Sequence, residues 1–372
     1  MTEEPIQKPK NPSFSSGPCV KYPTFDLNKF DITLLGRSHR CKLAKEKIQE
    51  AIDKTRKILN IPNDYLIGIV PGSDTGAIEM AMWNLVGKLG VDVLAFESFS
   101  KSWANDLKDQ LKIKDLNIYR ADFGQLPDLG QINFERDVIL TWNGTTSGVK
   151  IPNGDWIPED RKGLTIVDAT SAVFAMDIPW KKIDALTFSW QKVLGGEAAH
   201  GMLILSPRAQ ERIEEYTPLW PIPKIFQLRK KGALNKAIFE ASPINTVSML
   251  CIEDYIQALN WAESIGGLEG LIQKSQENLE VIKSFVKEHD WIEFLPNQEE
   301  IISNTSVCLK LNANEEKIKA IIKQLEDKKV ADDCTSYREA PLGLRIWCGA
   351  TVNKEDLKCM LDYLEWCYKN YK

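Results

Sequence analysis

Several residue types and patterns are scarce in this sequence, and each absence excludes a class of protein. Its 372 residues include only three histidines, which stand far apart, and eight cysteines with no Cys-x-x-Cys pair among them. We therefore expect no metal site and reduced thiols, as in a cytoplasmic protein. The apolar runs, such as Val91–Phe96 and Val138–Leu140, are far shorter than the roughly 20 residues that span a bilayer, so we expect no membrane segment.

A strong charge of either sign is also missing. The chain has 47 Lys+Arg against 52 Asp+Glu, a formal net charge of −5, with 27% charged and 43% apolar residues. This balance excludes a largely disordered chain and leaves no basic field with which to bind nucleic acid. The start, Met-Thr-Glu-Glu-Pro, has neither the basic residues nor the apolar run of a secretory signal. We expect a globular protein without nucleic-acid or membrane partners.

Strand-like and helical segments alternate through the first two thirds of the chain. Several of the strand-like runs are apolar throughout, as expected when helices cover both faces of a mostly parallel sheet. The seven runs are Tyr65–Val70, Val91–Phe96, Leu116–Arg120, Asp137–Trp142, Gly163–Val167, Asp184–Trp190 and Gly201–Leu205. The pattern predicts an α/β fold with a seven-stranded, mostly parallel sheet flanked by helices.

The length and a change of pattern near residue 245 predict two domains. Single hydrophobic cores stop growing at roughly 250–300 residues. Residues 1–20, rich in Pro, Ser and Gly, are expected to form an extended arm. Residues 21–264 would form a large domain. Residues 265–372 would form a smaller C-terminal α/β domain, in which long helices surround a few strands.

Two residues at the ends of neighbouring strands give the first chemical signal. Lys192 follows the run Asp184–Trp190, and Asp168 directly follows Gly163–Val167. Active sites in parallel sheets lie at the carboxyl ends of the strands, so the amine and the carboxylate would share one cleft. Pyridoxal phosphate needs this pair: the lysine for a Schiff base with its aldehyde, and the aspartate to hold a proton on its pyridine nitrogen.

Each member of the pair also has a plainer interpretation. The plainer interpretation of Lys192 is an ordinary surface lysine. If its side chain is instead held out of water, its pKa is lowered and its amine is nucleophilic. Asp168 would be a helix N-cap serving Thr170 or Ser171.

A short turn between a strand and a helix predicts an anion site. Gly72-Ser73-Asp74-Thr75-Gly76 follows the first strand-like run and precedes a helix expected near 76–88. Its backbone N–H groups would point along the helix axis, and its serine and threonine hydroxyls add donors, which suits a phosphate monoester. The turn matches neither a Walker A loop nor Gly-x-Gly-x-x-Gly. The carboxylate of Asp74 must turn away from a phosphate, so only its backbone is expected to contribute.

Further motifs complete the pattern. They are Phe14-Ser-Ser-Gly-Pro18, Ser38-His39-Arg40, Ser102-Trp103-Ala104, Trp142-Asn-Gly-Thr-Thr-Ser-Gly148, Val167-Asp168-Ala-Thr170, Ser189-Trp-Gln-Lys192, Asn245-Thr246 and Gly343-Leu-Arg345. Together with the turn they make the chain resemble the phosphoserine aminotransferases, in the class V group of fold type I pyridoxal-phosphate enzymes. The resemblance covers nearly the whole chain and implies the fold type I architecture with pyridoxal 5′-phosphate as cofactor.

The resemblance implies a role for each cofactor-binding residue. Lys192 would carry the Schiff base and Asp168 would contact the pyridine nitrogen. Trp103 would stack on the ring, unless it is only a core or rim tryptophan. Thr145 would hydrogen-bond the ring hydroxyl, with Thr146 as the rival for that role. The phosphate contacts would be the backbone of Asp74 and Thr75, the side chain of Gln191 and, from the partner subunit, Asn245 and Thr246. Because Asn245 and Thr246 would come from the partner subunit, the resemblance implies a homodimer with shared active sites.

Substrate recognition would rest on cationic side chains. Arginine suits both anions of phosphoserine, because its planar fork binds carboxylate and phosphate bidentately. The resemblance points to Arg345 for the α-carboxylate, with a strand-end salt bridge as the alternative. His39 and Arg40 would bind the substrate phosphate or the side-chain carboxylate of glutamate, or form a solvated helix start. Arg338 is either another phosphate contact or a surface charge.

The activity implied is the reversible transfer of an amino group between L-glutamate and 3-phosphohydroxypyruvate, giving O-phospho-L-serine and 2-oxoglutarate in L-serine biosynthesis. A side activity on the phosphorylated four-carbon precursor of vitamin B6 is left open. Other class V aminotransferases, for serine–pyruvate or alanine–glyoxylate, remain the main alternative. A cysteine desulfurase would need a mobile nucleophilic Cys, and a non-catalytic relative would be expected to lose Lys192 or Asp168.

Overall fold

The strands of the central sheet coincide with the runs that the sequence predicts. A computed structural model describes residues 3–371, so the first two residues of the predicted arm and the last residue of the predicted small domain lie outside the described range. The strands are β1 Leu66–Pro71, β2 Val91–Ala95, β3 Leu116–Arg120, β4 Asp137–Thr141, β5 Asn143–Gly144, β6 Val149–Lys150, β7 Thr165–Asp168, β8 Ala185–Ser189, β9 His200–Leu205, β10 Arg229–Lys230, β11 Ala233–Leu234, β12 Ile292–Phe294, β13 Ser306–Leu311 and β14 Leu344–Trp347.

Seven of these strands form one sheet in the order β1–β9–β8–β7–β4–β2–β3. β9 runs antiparallel to both of its neighbours, and the other pairings are parallel. β2, β4, β7, β8 and β9 are buried along their whole length, which explains their continuous apolar character. The predicted α/β class with a mostly parallel seven-stranded sheet is confirmed.

In the described part of the chain, eight α-helices cover the sheet and build the second lobe. They are α1 Lys42–Ile58, α2 Ser73–Leu85, α3 Ser98–Asn105, α4 Pro207–Glu215, α5 Met249–Ser264, α6 Gly267–Glu288, α7 Glu315–Asp327 and α8 Lys354–Asn370. α2 lies against the sheet with nearly all its residues buried, while α1 buries one apolar face and packs on α5. Within residues 3–371, no helix is long and apolar enough to cross a membrane, and no group of three or more His, Cys, Asp or Glu side chains could hold a metal ion.

The C-terminal part has its own small sheet. β12, β13 and β14 are antiparallel neighbours in that order, and α6 and α7 both pack on α8. This architecture agrees with a separate α/β lobe after α5, although the boundaries at 20 and 264 stay a prediction.

The N-terminal arm runs between the two lobes. The backbone N–H of Cys19 donates to the carbonyl of Gln191 at 2.8 Å, next to the large sheet. In the other direction the N–H of Trp347, on β14, donates to the carbonyl of Phe14 at 3.0 Å. The arm is therefore fixed to both lobes by backbone hydrogen bonds, and it passes the carboxyl ends of the large-sheet strands.

Candidate active site

A cavity of about 210 Å³ opens at the carboxyl ends of β4, β7 and β8. It brings together most of the residues that the sequence predicts for catalysis and cofactor binding. Seven of those nine residues line it: Asp74, Thr75, Trp103, Thr145, Asp168, Gln191 and Lys192.

Lys192 is buried against the N-terminal arm. Its side chain is 9% exposed, and its Nζ donates a hydrogen bond to the backbone carbonyl of Ser16. A Cβ added to Gly17, whose φ is +144°, would collide with the same amine. Burial lowers the pKa of Lys192, and the positive charge of Arg345 lowers it further. Lys192 is therefore not a surface lysine, and its setting favours the neutral amine.

Asp168, the last residue of β7, is almost fully buried and accepts two hydrogen bonds. Its Oδ1 accepts from the backbone N–H of Thr170 at 3.0 Å, and its Oδ2 accepts from Nε1–H of Trp103 at 3.1 Å. Both oxygens of the carboxyl group are therefore held in place by N–H donors. The contact with Thr170 is the one expected of a cap, but turns rather than an α-helix follow Asp168. Its second oxygen is bound by a cavity side chain.

The predicted phosphate turn forms the start of α2. The helix begins at Ser73, three residues earlier than expected, because Gly72 takes the cap position with φ of 81°. None of the described side chains caps this helix end. The first N–H groups of a helix have no partner within it, and both Asp74 and Thr75 line the cavity. The helix terminus therefore offers backbone donors to an anion in the cavity.

Arg345 supplies a positive charge from the small-sheet side. Among residues 3–371 its guanidinium has no acidic partner, and its buried Nε has no hydrogen-bond partner. The guanidinium lies 5.5 Å from the ring centre of Tyr337, and its charge acts on Lys192 and Cys19. The alternative of a strand-end salt bridge is wrong. An unpaired, half-buried arginine close to Lys192 is suited to bind an anionic ligand.

Six predicted residues do not line the Lys192 cavity: His39, Arg40, Asn245, Thr246, Arg338 and Arg345. The first two line a second cavity of about 330 Å³ together with Lys45, Lys230 and Ser242–Ile244, and no acidic residue lines it. Asn245 and Thr246 continue directly from that segment. Burial, followed by the charge of Arg40, lowers the pKa of His39. Arg338 is exposed and lines neither cavity.

Sequence reasoning missed several lining residues, including Asn143, Ser171 and Phe99. The Ser171 hydroxyl accepts from Oγ1–H of Thr145 at 2.8 Å and from Nδ2–H of Asn143 at 2.9 Å. Asn143 and Ser171 stand beside Thr145 and Asp168 in the segments after β4 and β7, so the strand-end rule alone could have found them. Phe99 is contributed by α3, which that rule does not reach.

The neighbouring threonine has a different environment. The Thr146 hydroxyl donates to Glu97 at 2.8 Å and does not line the cavity. Glu97 is fully buried, and this burial raises its pKa to about 7. Of the two rival threonines, only Thr145 faces the cavity.

The lining residues fit pyridoxal phosphate. Five buried oxygen atoms around the cavity have no hydrogen-bond partner among residues 3–371: Oδ1 of Asp74, Oγ1 of Thr141, Oδ1 of Asn143, Oγ1 of Thr170 and Oε1 of Gln191. Buried polar atoms without partners are rare in folded proteins, so their clustering indicates a polar ligand. The amine, the paired carboxylate, the indole and the uncapped helix end match an aldehyde, a ring nitrogen, a ring face and a phosphate.

The fold and this site define a class: the protein is a pyridoxal-phosphate-dependent aminotransferase of fold type I. The fold matches that of a phosphoserine aminotransferase from Cytophaga hutchinsonii with a TM-score of 0.82 at 22% identity, covering 96% of this chain and 98% of that one. A PLP-bound phosphoserine aminotransferase from Trichomonas vaginalis matches with a TM-score of 0.75 at 17% identity, covering 95% and 99%.

The sequence comparison narrows the class to a family. No family model matches the chain. The phosphoserine aminotransferase of Methanosarcina barkeri is 60% identical over 369 residues, which cover 99% of this chain and all of the relative. The chain belongs to the phosphoserine aminotransferase family. The predicted class and family are thereby confirmed, whereas the roles of individual site residues stay predictions.

Proposed function

We propose that this enzyme transfers an amino group reversibly between L-glutamate and 3-phosphohydroxypyruvate, giving O-phospho-L-serine and 2-oxoglutarate, as a step of L-serine biosynthesis. The observation that carries the proposal is the arrangement around one cavity of a buried amine, Lys192, and a buried carboxylate, Asp168, with an unpaired arginine, Arg345, acting on the amine. The 60% identity to the Methanosarcina barkeri enzyme supports the choice of substrates. The free state of all eight cysteines supports a cytoplasmic location.

The cofactor we propose is pyridoxal 5′-phosphate, which supplies an aldehyde that condenses with amines and a ring that withdraws electrons from the substrate α-carbon. Lys192 would hold it covalently between turnovers. Once displaced by the amino acid, the Lys192 amine would take a proton from the substrate α-carbon as a base and later return a proton as an acid. The lowered pKa of Lys192 favours this role, because a base must be unprotonated to accept a proton.

The remaining cavity residues would bind and orient the cofactor. Asp168 would hold the proton on the ring nitrogen, and the N–H groups of Trp103 and Thr170 fix the position of its carboxyl group for that purpose. Trp103 would cover a ring face and Thr145 would hydrogen-bond the ring hydroxyl. The phosphate would be bound by the backbone N–H groups of Asp74 and Thr75 and by the side chain of Gln191, whose amide nitrogen is its hydrogen-bond donor.

The substrate contacts divide between the two subunits of a proposed homodimer. Arg345 would bind the α-carboxylate shared by both amino acids. His39 and Arg40 would bind the second anion from the partner subunit, where Asn245 and Thr246 would reach the cofactor phosphate. Their placement in a separate basic cavity supports this arrangement, since a single chain does not bring them to Lys192. For Arg338 both interpretations stay open: another contact to the substrate phosphate, or a surface charge.

The surface beside the basic cavity supports the dimer. Four large apolar side chains are between 43% and 60% exposed to solvent in the single chain. Ile32 and Leu35 precede α1, Leu43 lies at the start of α1, and Leu250 lies at the start of α5. α1 packs on α5, so these side chains belong to one part of the surface. Exposed apolar groups gathered in this way are typical of a surface that is covered by a partner.

A half-reaction tests the proposed substrates. The purified holoenzyme is mixed with O-phospho-L-serine, L-serine or L-alanine, and the visible cofactor band is followed. We expect rapid loss of the band with phosphoserine and little change with the two uncharged analogues. Rapid loss with L-alanine or L-serine would instead support one of the other class V aminotransferases.

A further inference from the structure

A fully buried acid joins two walls of the Lys192 cavity without lining it. Glu97 follows β2 and precedes α3, and both of its carboxyl oxygens are hydrogen-bonded. The donors are two uncharged groups, the backbone N–H of Ser100 and the hydroxyl of Thr146. Burying an acid is costly unless its hydrogen bonds compensate. The roles assigned so far do not explain why an acid is buried here.

One oxygen of this carboxyl group fixes the start of α3. Glu97 is the N-cap residue, and its Oε1 accepts from the backbone N–H of Ser100 at 2.5 Å. In return, the Ser100 hydroxyl accepts from the backbone N–H of Glu97 at 3.1 Å, which completes a capping box. α3 carries Phe99 and Trp103, and both line the cavity. Glu97 therefore determines where the helix that contributes Trp103 begins.

The other oxygen holds the segment that carries Thr145. Oε2 of Glu97 accepts from the hydroxyl of Thr146 at 2.8 Å, and the same hydroxyl oxygen accepts from the backbone N–H of Ser98 at 2.9 Å. Thr146 is fully buried, and its neighbour Thr145 lines the cavity. A Cβ added to Gly144 would lie only 2.7 Å from Cγ of Glu97, so the glycine leaves the space that the acid occupies. The segment after β4 is thus connected to the start of α3 through one hydroxyl group.

The length of the Glu97 side chain matches this connection. Ser, Thr, Asp and Asn are the preferred N-cap residues, because their short side chains reach the first free N–H groups of the helix. A glutamate has one more methylene than an aspartate, and here its second oxygen extends to Thr146. The cap alone does not require a glutamate, whereas the contact with Thr146 does.

We propose that Glu97 is a positioning residue for the cofactor: by capping α3 and accepting the Thr146 hydroxyl, it holds Trp103 and Thr145 at the spacing that the cofactor ring requires. Neither Glu97 nor Thr146 lines the cavity, so both act through the two residues that do. The proposal rests on the roles given above to Trp103 at the ring face and to Thr145 at the ring hydroxyl.

The test compares variants that remove only the contact between Glu97 and Thr146. Glu97→Asp keeps the acid and a preferred cap but is too short to reach the hydroxyl, and Thr146→Val keeps the shape of the side chain without the hydroxyl. Thr146→Ser keeps the hydroxyl. For these three and for the double variant of Glu97→Asp with Thr146→Val, the dissociation constant of pyridoxal phosphate from the apoprotein is measured by titration. The pH midpoint of the visible band of the bound cofactor is also recorded, because a donor to the ring oxygen stabilises its charge and shifts that midpoint.

Glu97→Asp and Thr146→Val should each weaken cofactor binding about fivefold, the typical net effect of one hydrogen bond, and should move the midpoint in the direction of Thr145→Val. The double variant should bind no more weakly than either single variant, since both remove the same contact. Thr146→Ser should bind like the wild type. Ser275→Ala is the control, because it removes a buried hydroxyl on α6 outside the cavity and should leave both values unchanged.

The free energy of unfolding of each apoprotein separates a positioning role from a merely structural one. If the variants unfold more easily but keep the wild-type dissociation constant and midpoint, Glu97 only supports the fold and the proposal is wrong. Additive losses in the double variant would also overturn it. If Glu97→Asp does not fold, equal affinities for Thr146→Val and Thr146→Ser would do the same. If Thr145→Val itself keeps both wild-type values, the role of Thr145 in the proposed function fails, and this proposal fails with it.

Discussion

The indole of Trp103 is hydrogen-bonded to Asp168, with Nε1 of the indole 3.1 Å from Oδ2 of the carboxylate. The side chain that we expect to cover the cofactor ring is thus held by the side chain that we expect to contact the ring nitrogen. This bond connects α3 to the end of β7. It fixes the orientation of the indole without a cofactor, so the cavity wall is already ordered for binding.

Trp103→Phe should weaken cofactor binding by about tenfold, because Phe keeps an aromatic face but loses a hydrogen bond to a charged group worth roughly 1.5–3 kcal/mol at most. Trp83→Phe is the matched control, since Trp83 packs against Phe226 outside the cavity. The dissociation constant of pyridoxal phosphate from the apoprotein is measured by titration. Equal affinities for the two variants would mean that the bond to Asp168 does not contribute.

Arg345→Ala should lower kcat/KM for L-glutamate and for O-phospho-L-serine alike, by about 100-fold for a lost charge-assisted contact. Both substrates carry the α-carboxylate that this arginine is proposed to bind. Arg345→Lys keeps the charge without the bidentate fork and should lie between the wild type and Arg345→Ala. A loss confined to phosphoserine would show that Arg345 binds the phosphate instead.

Active sites shared between subunits predict complementation. Lys192→Ala and Arg40→Ala should each be nearly inactive as homodimers. In a mixed dimer, one of the two sites receives Lys192 from one subunit and Arg40 from the other. Co-expressed in equal amounts, the variants should regain about a quarter of wild-type activity, because half the dimers are mixed and half their sites are intact. No gain over the separate homodimers would contradict the shared site.

A buried histidine that does not line the Lys192 cavity predicts a pH effect on stability. Burial lowers the pKa of His200 from 6.5 to about 4, and its Nε2 accepts a hydrogen bond from the backbone N–H of Ser248 at 3.1 Å. As the pH falls, His200 is therefore protonated in the unfolded chain before it is protonated in the folded protein. The contribution of the neutral His200 to the free energy of unfolding is complete above pH 6.5, and it decreases by up to about 3 kcal/mol as the pH falls toward 4.

His200→Gln removes this titration, since glutamine can accept the same hydrogen bond and carries no charge. The free energy of unfolding is measured in urea at pH 7 and pH 5 for both proteins. We expect the wild type to lose more stability between the two pH values than the variant. The same loss in both proteins would place the acid sensitivity elsewhere.

The sheet could be predicted almost strand by strand, because most of its strands are buried on both faces and their apolar runs have sharp ends. β3 has the predicted bounds, and β7 differs only at its ends, losing Gly163 and Leu164 and gaining Asp168. The start of α2 was placed three residues late, since the sequence does not reveal that Gly72 is the cap. The short hairpin β10–β11 was not predicted, because its two-residue strands have no apolar periodicity.

The cavity could be predicted as far as strand ends determine it. Lys192, Asp168 and Thr145 follow strands of one sheet, so their meeting is a consequence of topology. The burial of the Asp74 side chain at the cavity could not be anticipated, because it depends on the direction of one side chain at the start of α2. The absence of an acidic partner for Arg345 among residues 3–371 likewise depends on how β14 packs, which no local pattern encodes.

The covalent link at Lys192 tests the central claim most directly. The holoenzyme is reduced with borohydride, digested and mapped by mass spectrometry, in parallel with Lys192→Ala and the control Lys21→Ala, since Lys21 directly follows the arm and pairs with Asp254. We predict a pyridoxyl adduct on the peptide containing Lys192 in the wild type and in Lys21→Ala, and none in Lys192→Ala. An adduct that persists in Lys192→Ala, or that maps to another lysine in the wild type, would contradict the account.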